Sequence, residues 1–407
     1  MCMVAACTPP DLQPWHEERL GEEFDVRRHG KTVTSFSAYR DLEDAVFEEL
    51  SRRIYGDPEH QAIAANTRYL AGGPGDTRST SPDWNRSVEI PAEDPRGGVL
   101  LLHGMSDAPY SLSHFAHAAA RENYHVLALR YPGHGTIPSG LRQVRDADLS
   151  AAVGLAAAHL REAIGDRPLH IVGYSTGAPL ALEYAMDALE SPSIQVPASL
   201  VFLSPAIRVH AAAGLAGAKN ILSALPGLTA GAWLSLLPEN DPHKYNSFTS
   251  NAAAQVHRLT VAVDRRFRRL PEATLQRMPP ILALKSTVDS TVTTSAVVDN
   301  LLMSLQGEHE LLLFDVNQYA IGRGQLSVNA DAYTQHLRRL EKLPFTLTIV
   351  GNDSPDSRTV SAFTRRAGES VEEQPVPLNA LARGCGVAVA CRPTLSARRY
   401  ALRRIAI

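Results

Sequence analysis

Ser175 is flanked by glycines in Gly173-Tyr-Ser175-Thr-Gly177, between the apolar run 169–172 and the helical segment 178–189. At a sharp turn from strand to helix, a serine presents its hydroxyl at the carboxyl edge of a sheet and near a helix dipole that favours developing negative charge. Side chains at the two glycine positions would collide with neighbouring backbone. The spacing predicts a nucleophilic serine, and the alternative is an ordinary tight turn that contains one.

A loop of small residues, His103-Gly104-Met105-Ser-Asp-Ala-Pro109, follows the apolar run 98–102. Such a loop at the end of a strand can form half of an oxyanion hole from its backbone N–H groups. We predict that Met105 and Thr176, the residue after the serine, are the two donors. We expect His103 to be a structural residue of this turn and not a base.

An acid is expected after the apolar run 281–284, because in enzymes with such a strand–serine–helix turn the order along the chain is serine, acid, histidine. Asp289 follows that run in a short polar loop and is the predicted acid. Asp299 is further along, where the pattern predicts a solvated helix position.

No histidine occurs in 315–326, where the base should follow the apolar run 311–314. His309 precedes that run, so it should lie at the opposite edge of a parallel sheet. His336 remains as a candidate, but its context predicts a surface position in the middle of a helix. Since a serine without a base is a weak nucleophile, the chain as written is expected to be close to inactive.

The fold class predicted from these runs is α/β. Apolar runs of strand length alternate with helical segments from Gly97 onward, which indicates a mostly parallel sheet with helices on both faces. We divide the chain into an N-terminal extension (21–95), a core (96–342) with a cap insertion at about 206–278, and a region with an extra strand at 345–350 (343–380).

The segment Pro132-Gly-His134-Gly135, after the run 125–129, completes a resemblance. With Gly173–Gly177 and His103–Pro109 it resembles the α/β-hydrolase superfamily, in its branch of monoacylglycerol lipases, carboxylesterases and serine aminopeptidases, over roughly 96–316. The resemblance implies a serine hydrolase that cleaves acylglycerol-like or lysophospholipid-like esters through an acyl-enzyme, without a cofactor. It also implies that His134 shapes its loop. The alternative function is a catalytically incomplete homologue that binds or scaffolds.

The two ends of the chain have unusual compositions. Residues 381–407 hold six arginines, no acid and two of the four cysteines. We interpret this as a segment read out of frame, since a shifted frame from Val387 allows Ser-Leu-Ser-His, with the histidine codon across Ala390 and Cys391. The alternative is a genuine basic tail.

At the start (1–20), Val4-Ala5-Ala6-Cys7 resembles a bacterial lipobox followed by a tether. The chain as written lacks the charged and apolar regions of a signal peptide. Lipidation at Cys7 would place the protein at the cell envelope and on a membrane surface, and without it the location is open.

Charge and hydropathy exclude other classes of protein. The net charge is −3, with 44% hydrophobic and 20% charged residues, which gives no reason to expect a nucleic-acid partner. No run reaches the roughly 18 to 20 apolar residues of a membrane helix. No cysteine lies between Cys7 and Cys385, and no ligand cluster suggests a metal, so a small-molecule ester or lipid is the expected partner.

Overall fold

A mostly parallel sheet forms the centre of the computed structural model, which describes residues 12–208, 229–287, 289, 292–315, 330–352, 359–371 and 375–377. The twelve described strands are β1 (Val88–Ile90), β2 (Gly98–Leu102), β3 (His125–Leu129), β4 (Leu169–Tyr174), β5 (Ser199–Leu203), β6 (Trp233–Ser235), β7 (Phe248–Thr249), β8 (Ile281–Ser286), β9 (Glu310–Phe314), β10 (Thr346–Asn352), β11 (Val360–Arg365) and β12 (Val376–Pro377).

The strand order in the main sheet is β1-β3-β2-β4-β5-β8-β9-β10-β11-β12. Strands from β3 to β10 in this order are parallel, while β1, β11 and β12 pair antiparallel at the two margins. The remaining strands, β6 and β7, form a separate antiparallel pair. The chain order reverses at β2, whose neighbours are β3 and β4. In open parallel sheets, ligands bind outside the carboxyl ends of the strands at such a reversal.

The described helices cover both faces of this sheet. They are α1 (Pro14–Glu17), α2 (Val26–His29), α3 (Phe36–Leu50), α4 (Pro58–Ile63), α5 (Ser113–Arg121), α6 (Asp146–Ile164), α7 (Gly177–Glu190), α8 (Ser250–Phe267), α9 (Glu272–Leu275), α10 (Thr294–Asn300) and α11 (Ala330–Arg339). A turn of π-helix, Ser51–Tyr55, continues α3. No helix in the described part is both long and apolar enough to cross a membrane.

Alternate residues of β2 contribute to two separate apolar cores. Leu100 and Leu102 pack on one face with α6 and α7, whereas Val99 and Leu101 pack on the other face with α5. This is the period-2 alternation of a strand that is buried on both sides. It explains why the central strands read as continuous apolar runs in the sequence.

The N-terminal segment packs against the sheet through a buried ion pair. The Arg130 guanidinium, only 1% exposed, makes two hydrogen bonds to the Glu23 carboxylate, of 3.1 and 2.7 Å. The Tyr39 hydroxyl donates to the Arg130 carbonyl oxygen at 2.7 Å. Residues before β1 therefore share charge pairs and core packing with the segment after β3.

The α/β class is confirmed, the apolar runs 98–102, 125–129, 169–172, 281–284 and 311–314 are all strands, and the extra strand predicted at 345–350 is β10. Helix α3 begins at Phe36 because Ser35 caps it by accepting a hydrogen bond from the Ala38 N–H. Cys7, part of the cap insertion (209–228), the loop 316–329 and the tail 381–407 lie outside the described residues. The predictions made for them stay predictions.

Candidate active site

Ser175 lies between β4 and α7 in a backbone conformation that non-glycine residues rarely adopt, with φ of +52°. Two hydrogen bonds hold it there. Its N–H donates to the Leu203 carbonyl at 2.9 Å, and its carbonyl accepts from the Ala206 N–H at 3.1 Å. The neighbouring β5 and the segment after it thus maintain a strained turn at the carboxyl edge of the sheet.

The two glycines beside Ser175 are required by close backbone contacts. A Cβ added at Gly173 would lie 2.5 Å from the Gly177 carbonyl oxygen. One added at Gly177 would come closer than 3.0 Å to the Leu102 carbonyl oxygen. The collisions expected from the sequence are therefore those that the structure shows.

The Ser175 side chain is half-buried, and no described side chain is hydrogen-bonded to its hydroxyl. Thr176 is the N-cap residue of α7, and no side chain caps that helix terminus. In the first turn of α7 the Ala178 N–H donates to the Ser175 carbonyl at 3.2 Å, and Pro179 has no N–H. It is therefore the Gly177 N–H that the missing side-chain cap leaves for an anion.

The loop after β2 meets the Ser175 turn through Gly104. A Cβ on Gly104 would lie 3.4 Å from Ser175 Cβ. Met105, one of the predicted N–H donors, is buried in this loop, and Thr176, the other, is buried beside the serine. The structure therefore brings together the two loops that carry the predicted oxyanion donors.

Two buried histidines hold the carbonyl groups of this loop. His103 Nδ1 lies 2.8 Å from the Gly104 oxygen, and His134 Nε2 lies 2.7 Å from the Met105 oxygen. Because a carbonyl can only accept, His103 must carry its proton on Nδ1, which agrees with its Nε2 facing the Tyr131 N–H at 3.4 Å. The Gly104 carbonyl and the Met105 N–H share one trans peptide and point in opposite directions. The His103 bond thus sets the direction of that N–H.

Burial lowers the pKa of His103 well below its usual value and that of His134 to about 4. Both rings are therefore neutral near pH 7. His134 Nδ1 also lies 2.9 Å from the Pro132 oxygen, and a neutral ring can donate to only one of its two carbonyl neighbours. Both histidines are committed to backbone groups, as the sequence predicts.

Asp289 lies in the loop after β8, where the acid was predicted, and its partner is Lys285. Lys285 Nζ is 2.6 Å from Asp289 Oδ2, and the lysine side chain is fully buried. Asp289 Oδ1 also accepts from the Val292 N–H at 3.3 Å. Burial lowers the pKa of Lys285, and the Asp289 carboxylate opposes that shift.

Sequence reasoning missed Lys285 and a second acid, Asp107. Burial, with the negative charges of Asp107 and Asp289, raises the pKa of Tyr174, the residue before Ser175. Both carboxylates therefore act electrostatically on the residue directly before the serine. The signal available for Lys285 was a charged residue directly after the run 281–284, which was assigned to a loop because the predicted strand ended there.

The histidines considered as bases lie elsewhere. His309 accepts from the N–H of Ile281, the first residue of β8, at 3.2 Å, which places it at the amino edge of the sheet, as expected. His336 is exposed on α11 with Tyr333 as its ring neighbour. The structure does not bring either ring to Ser175. In the described ranges, no three histidine, cysteine or acidic side chains converge on a metal site.

With this geometry established, comparison with known proteins gives the family. The chain belongs to the alpha/beta hydrolase family, whose model matches residues 99–386. It is 32% identical over 130 residues to the thermostable monoacylglycerol lipase of Bacillus sp. (strain H-257). That match covers 32% of this chain and 49% of the relative, so the chain spans about half the length of the curated relative.

Solved structures of similar fold include two lipases. One, from a study of the metagenome-derived lipolytic enzymes LipS and LipT, has 23% identity and a TM-score of 0.45, covering 56% of this chain and 87% of the other. The second is the monoacylglycerol lipase of Paleococcus ferrophilus, with 17% identity, a TM-score of 0.44, and coverage of 56% and 88%.

Proposed function

We propose that this chain is a serine hydrolase that cleaves carboxylic esters through an acyl-enzyme. The Ser175 hydroxyl oxygen attacks the ester carbonyl, its proton passes to a histidine base, and a tetrahedral oxyanion forms. The N–H groups of Met105 and Thr176 stabilise that charge. The alcohol leaves with the proton, and water then releases the acid from acyl-Ser175.

The observation that supports this most is the strained turn at Ser175 against the Gly104 loop. A positive φ on a serine between two obligatory glycines has no evident purpose in packing, because an ordinary turn would connect β4 and α7 without strain. The turn sets the Ser175 Cβ beside Gly104, in the loop that carries Met105, at the reversal of strand order where open parallel sheets bind ligands.

The substrate class follows from the relatives. The curated relative is named a monoacylglycerol lipase, and we infer that this chain acts on acylglycerol-like or lysophospholipid-like esters. Asp289 would orient the base and Lys285 would hold Asp289. Lipidation at Cys7, with a place on a membrane surface of the cell envelope, remains part of the proposal.

Hydrolysis of 4-nitrophenyl butyrate by the full chain and by Ser175→Ala tests this function. Each protein is assayed with and without added imidazole, which can replace a missing histidine ring as a base. Hydrolysis that is lost in Ser175→Ala supports the proposal, whether or not imidazole is needed. Equal rates for both proteins under both conditions would overturn it.

A further inference from the structure

A second carboxylate, that of Asp107, lies beside Ser175 and has no part in the proposed acyl transfer. A Cβ on Gly104 would lie closer than 3.0 Å to Asp107 Oδ2 and 3.4 Å from both Ser175 Cβ and Tyr174 Cε1. Asp107 Oδ2 and Ser175 Cβ are therefore at most about 6 Å apart. The carboxylate borders the space that an ester must occupy when Ser175 attacks it.

Backbone contacts on both sides fix the position of Asp107. Its N–H donates to the Gly104 carbonyl at 3.2 Å, which closes a turn in the loop. Asp107 also forms an antiparallel β-bridge with Lys244, and the Tyr245 N–H donates to the Ser106 carbonyl at 2.8 Å. The segment before α8 therefore clamps the loop, so Asp107 has a defined position.

The Asp107 carboxylate itself lacks a hydrogen-bond donor among the described residues, although it is half-buried. Because it is partly exposed, water can reach this carboxylate, and a bound molecule with a hydroxyl group can replace that water as its donor. Gly104 adds to the case, because it is the absence of a side chain there that leaves room for this carboxylate. An acceptor held open beside a nucleophile is available to a bound molecule.

The charges around Asp107 leave it negative at neutral pH. Burial, with a smaller contribution from the negative charge of Asp241, raises the pKa of Asp107 to about 6 against the opposing charge of Lys244. Lys244 is exposed, so solvent weakens its effect. On the other side lies Tyr174, whose raised pKa keeps it neutral, and beyond it Asp289 is paired with Lys285. Of these six groups, three are negative and two are positive.

We propose that Asp107 is a specificity-determining residue that admits esters with a neutral, hydroxylated alcohol part and disfavours those with phosphate or carboxylate there. A hydroxyl can donate to the carboxylate, whereas an anion is repelled and leaves the carboxylate unsatisfied. This inference rests on the proposed function, because the ester must lie at Ser175. Within the proposed substrates it favours acylglycerols over lipids that carry phosphate.

The test compares two butyrate esters that differ in the charge of the alcohol part, 4-carboxyphenyl butyrate and 4-(methoxycarbonyl)phenyl butyrate. The kcat/KM ratio of the neutral to the anionic ester is measured at pH 8 for the full chain and for Asp107→Asn, under the conditions that give Ser175-dependent hydrolysis. Intrinsic reactivity cancels between the two proteins. Loss of the Asp107 charge should lower the ratio roughly tenfold in Asp107→Asn, the size expected for two unit charges several ångströms apart at a partly buried site.

Two further variants and a second pH sharpen the result. Lys244→Gln removes the opposing charge and should raise the ratio, and because Lys244 is exposed this variant is informative even if Asp107→Asn does not fold. Asp94→Asn, which removes an acid exposed at the other edge of the sheet, should leave the ratio unchanged. At pH 5, where Asp107 is mostly protonated, the wild-type ratio should approach that of Asp107→Asn.

An equal ratio in wild type, Asp107→Asn and Lys244→Gln would overturn the inference while the Ser175-dependent rate upholds the proposed function. Hydrolysis that persists in Ser175→Ala would overturn both, because no ester would then react beside Asp107.

Discussion

Lys285 Nζ lies 2.6 Å from Asp289 Oδ2, and the lysine is buried along its whole side chain. The predicted catalytic acid is therefore also the counter-ion of a buried cation. Removing a carboxylate from such a pair leaves an uncompensated charge in the interior. Any loss of activity on substituting Asp289 consequently has a structural component.

We expect Asp289→Asn to destabilise the protein by about 3 to 5 kcal/mol, and Lys285→Met/Asp289→Asn to lose much less. Urea denaturation of the two variants measures this. Glu122→Gln is the control, since it breaks the exposed pair with Arg96 and should cost under about 1 kcal/mol. A double variant as unstable as Asp289→Asn would contradict the buried pair.

Gly177→Ala and Gly154→Ala should have opposite effects on stability. The first places a Cβ against the Leu102 carbonyl oxygen and should destabilise by about 1 to 3 kcal/mol or more. The second lies on the exposed side of α6, where nothing is within 4 Å of an added Cβ, and should stabilise by about 0.5 to 1 kcal/mol. Thermal unfolding of both variants measures these changes in stability. If both variants were stabilised, or both destabilised, the close approach at Gly177 would be contradicted.

His103→Phe should lower kcat more than it changes KM. The ring still packs against Tyr131, but the Gly104 carbonyl loses one of its two donors and keeps only the Asp107 N–H, so the direction of the Met105 N–H is held less firmly. Removing an oxyanion donor outright costs about 10² to 10³ in kcat, which is the upper bound here.

The control for that experiment is His170→Phe, which removes a buried histidine bonded to Ser199 near the amino edge of the sheet. Its kcat should be that of the wild type. Equal losses in the two variants would show that the effect of His103 is not specific to the loop.

Stability should fall as the pH drops from about 6.5 toward about 4 because of buried histidines. The pKa of His134 is lowered to about 4, so in that range the unfolded chain binds a proton that the folded chain does not. His134 contributes about 3 kcal/mol to the free energy of unfolding above about pH 6.5. This contribution is lost as the pH falls toward about 4. Burial lowers the pKa of His16, His170 and His243 in the same direction.

Urea denaturation at pH 7 and pH 5 tests this. In His134→Asn the dependence of the unfolding free energy on pH should be shallower, by up to about 1.4 kcal/mol per pH unit. Identical slopes in the two proteins would show that the ring takes up a proton equally well in the folded state.

The central strands could be predicted because their burial on both faces produces an uninterrupted apolar signal, as in Gly98–Leu102. The marginal strands could not. Val88–Ile90 has only three residues, of which two are half-buried, and Val360–Arg365 mixes buried and half-buried positions. The first of these strands lies at the edge of the sheet, and the second is followed only by the two-residue β12, so neither has the burial on both faces that gives a central strand its pattern.

The Ser175 turn was predictable because its constraints are local: two glycines, one strand and one helix. Asp107 and Lys285 were not, since each acquires its position from contacts between separate loops of the fold. Asp107 lies beside Ser175 because both side chains are next to Gly104. Lys285 was missed because the predicted strand ended at residue 284, whereas β8 continues to Ser286. A side chain whose surroundings come from distant segments has no signature in its neighbours along the chain.

The buried pair of Glu23 and Arg130 extends toward the reaction centre. Arg130 Nε donates to the His134 carbonyl at 2.6 Å, and the His134 ring holds the Met105 carbonyl. A shortened protein that starts at the first central strand would keep Ser175 and Asp289 and yet lose the anion that neutralises Arg130. The part of the chain that holds the Ser175 site in place therefore includes the polar segment that precedes the sheet.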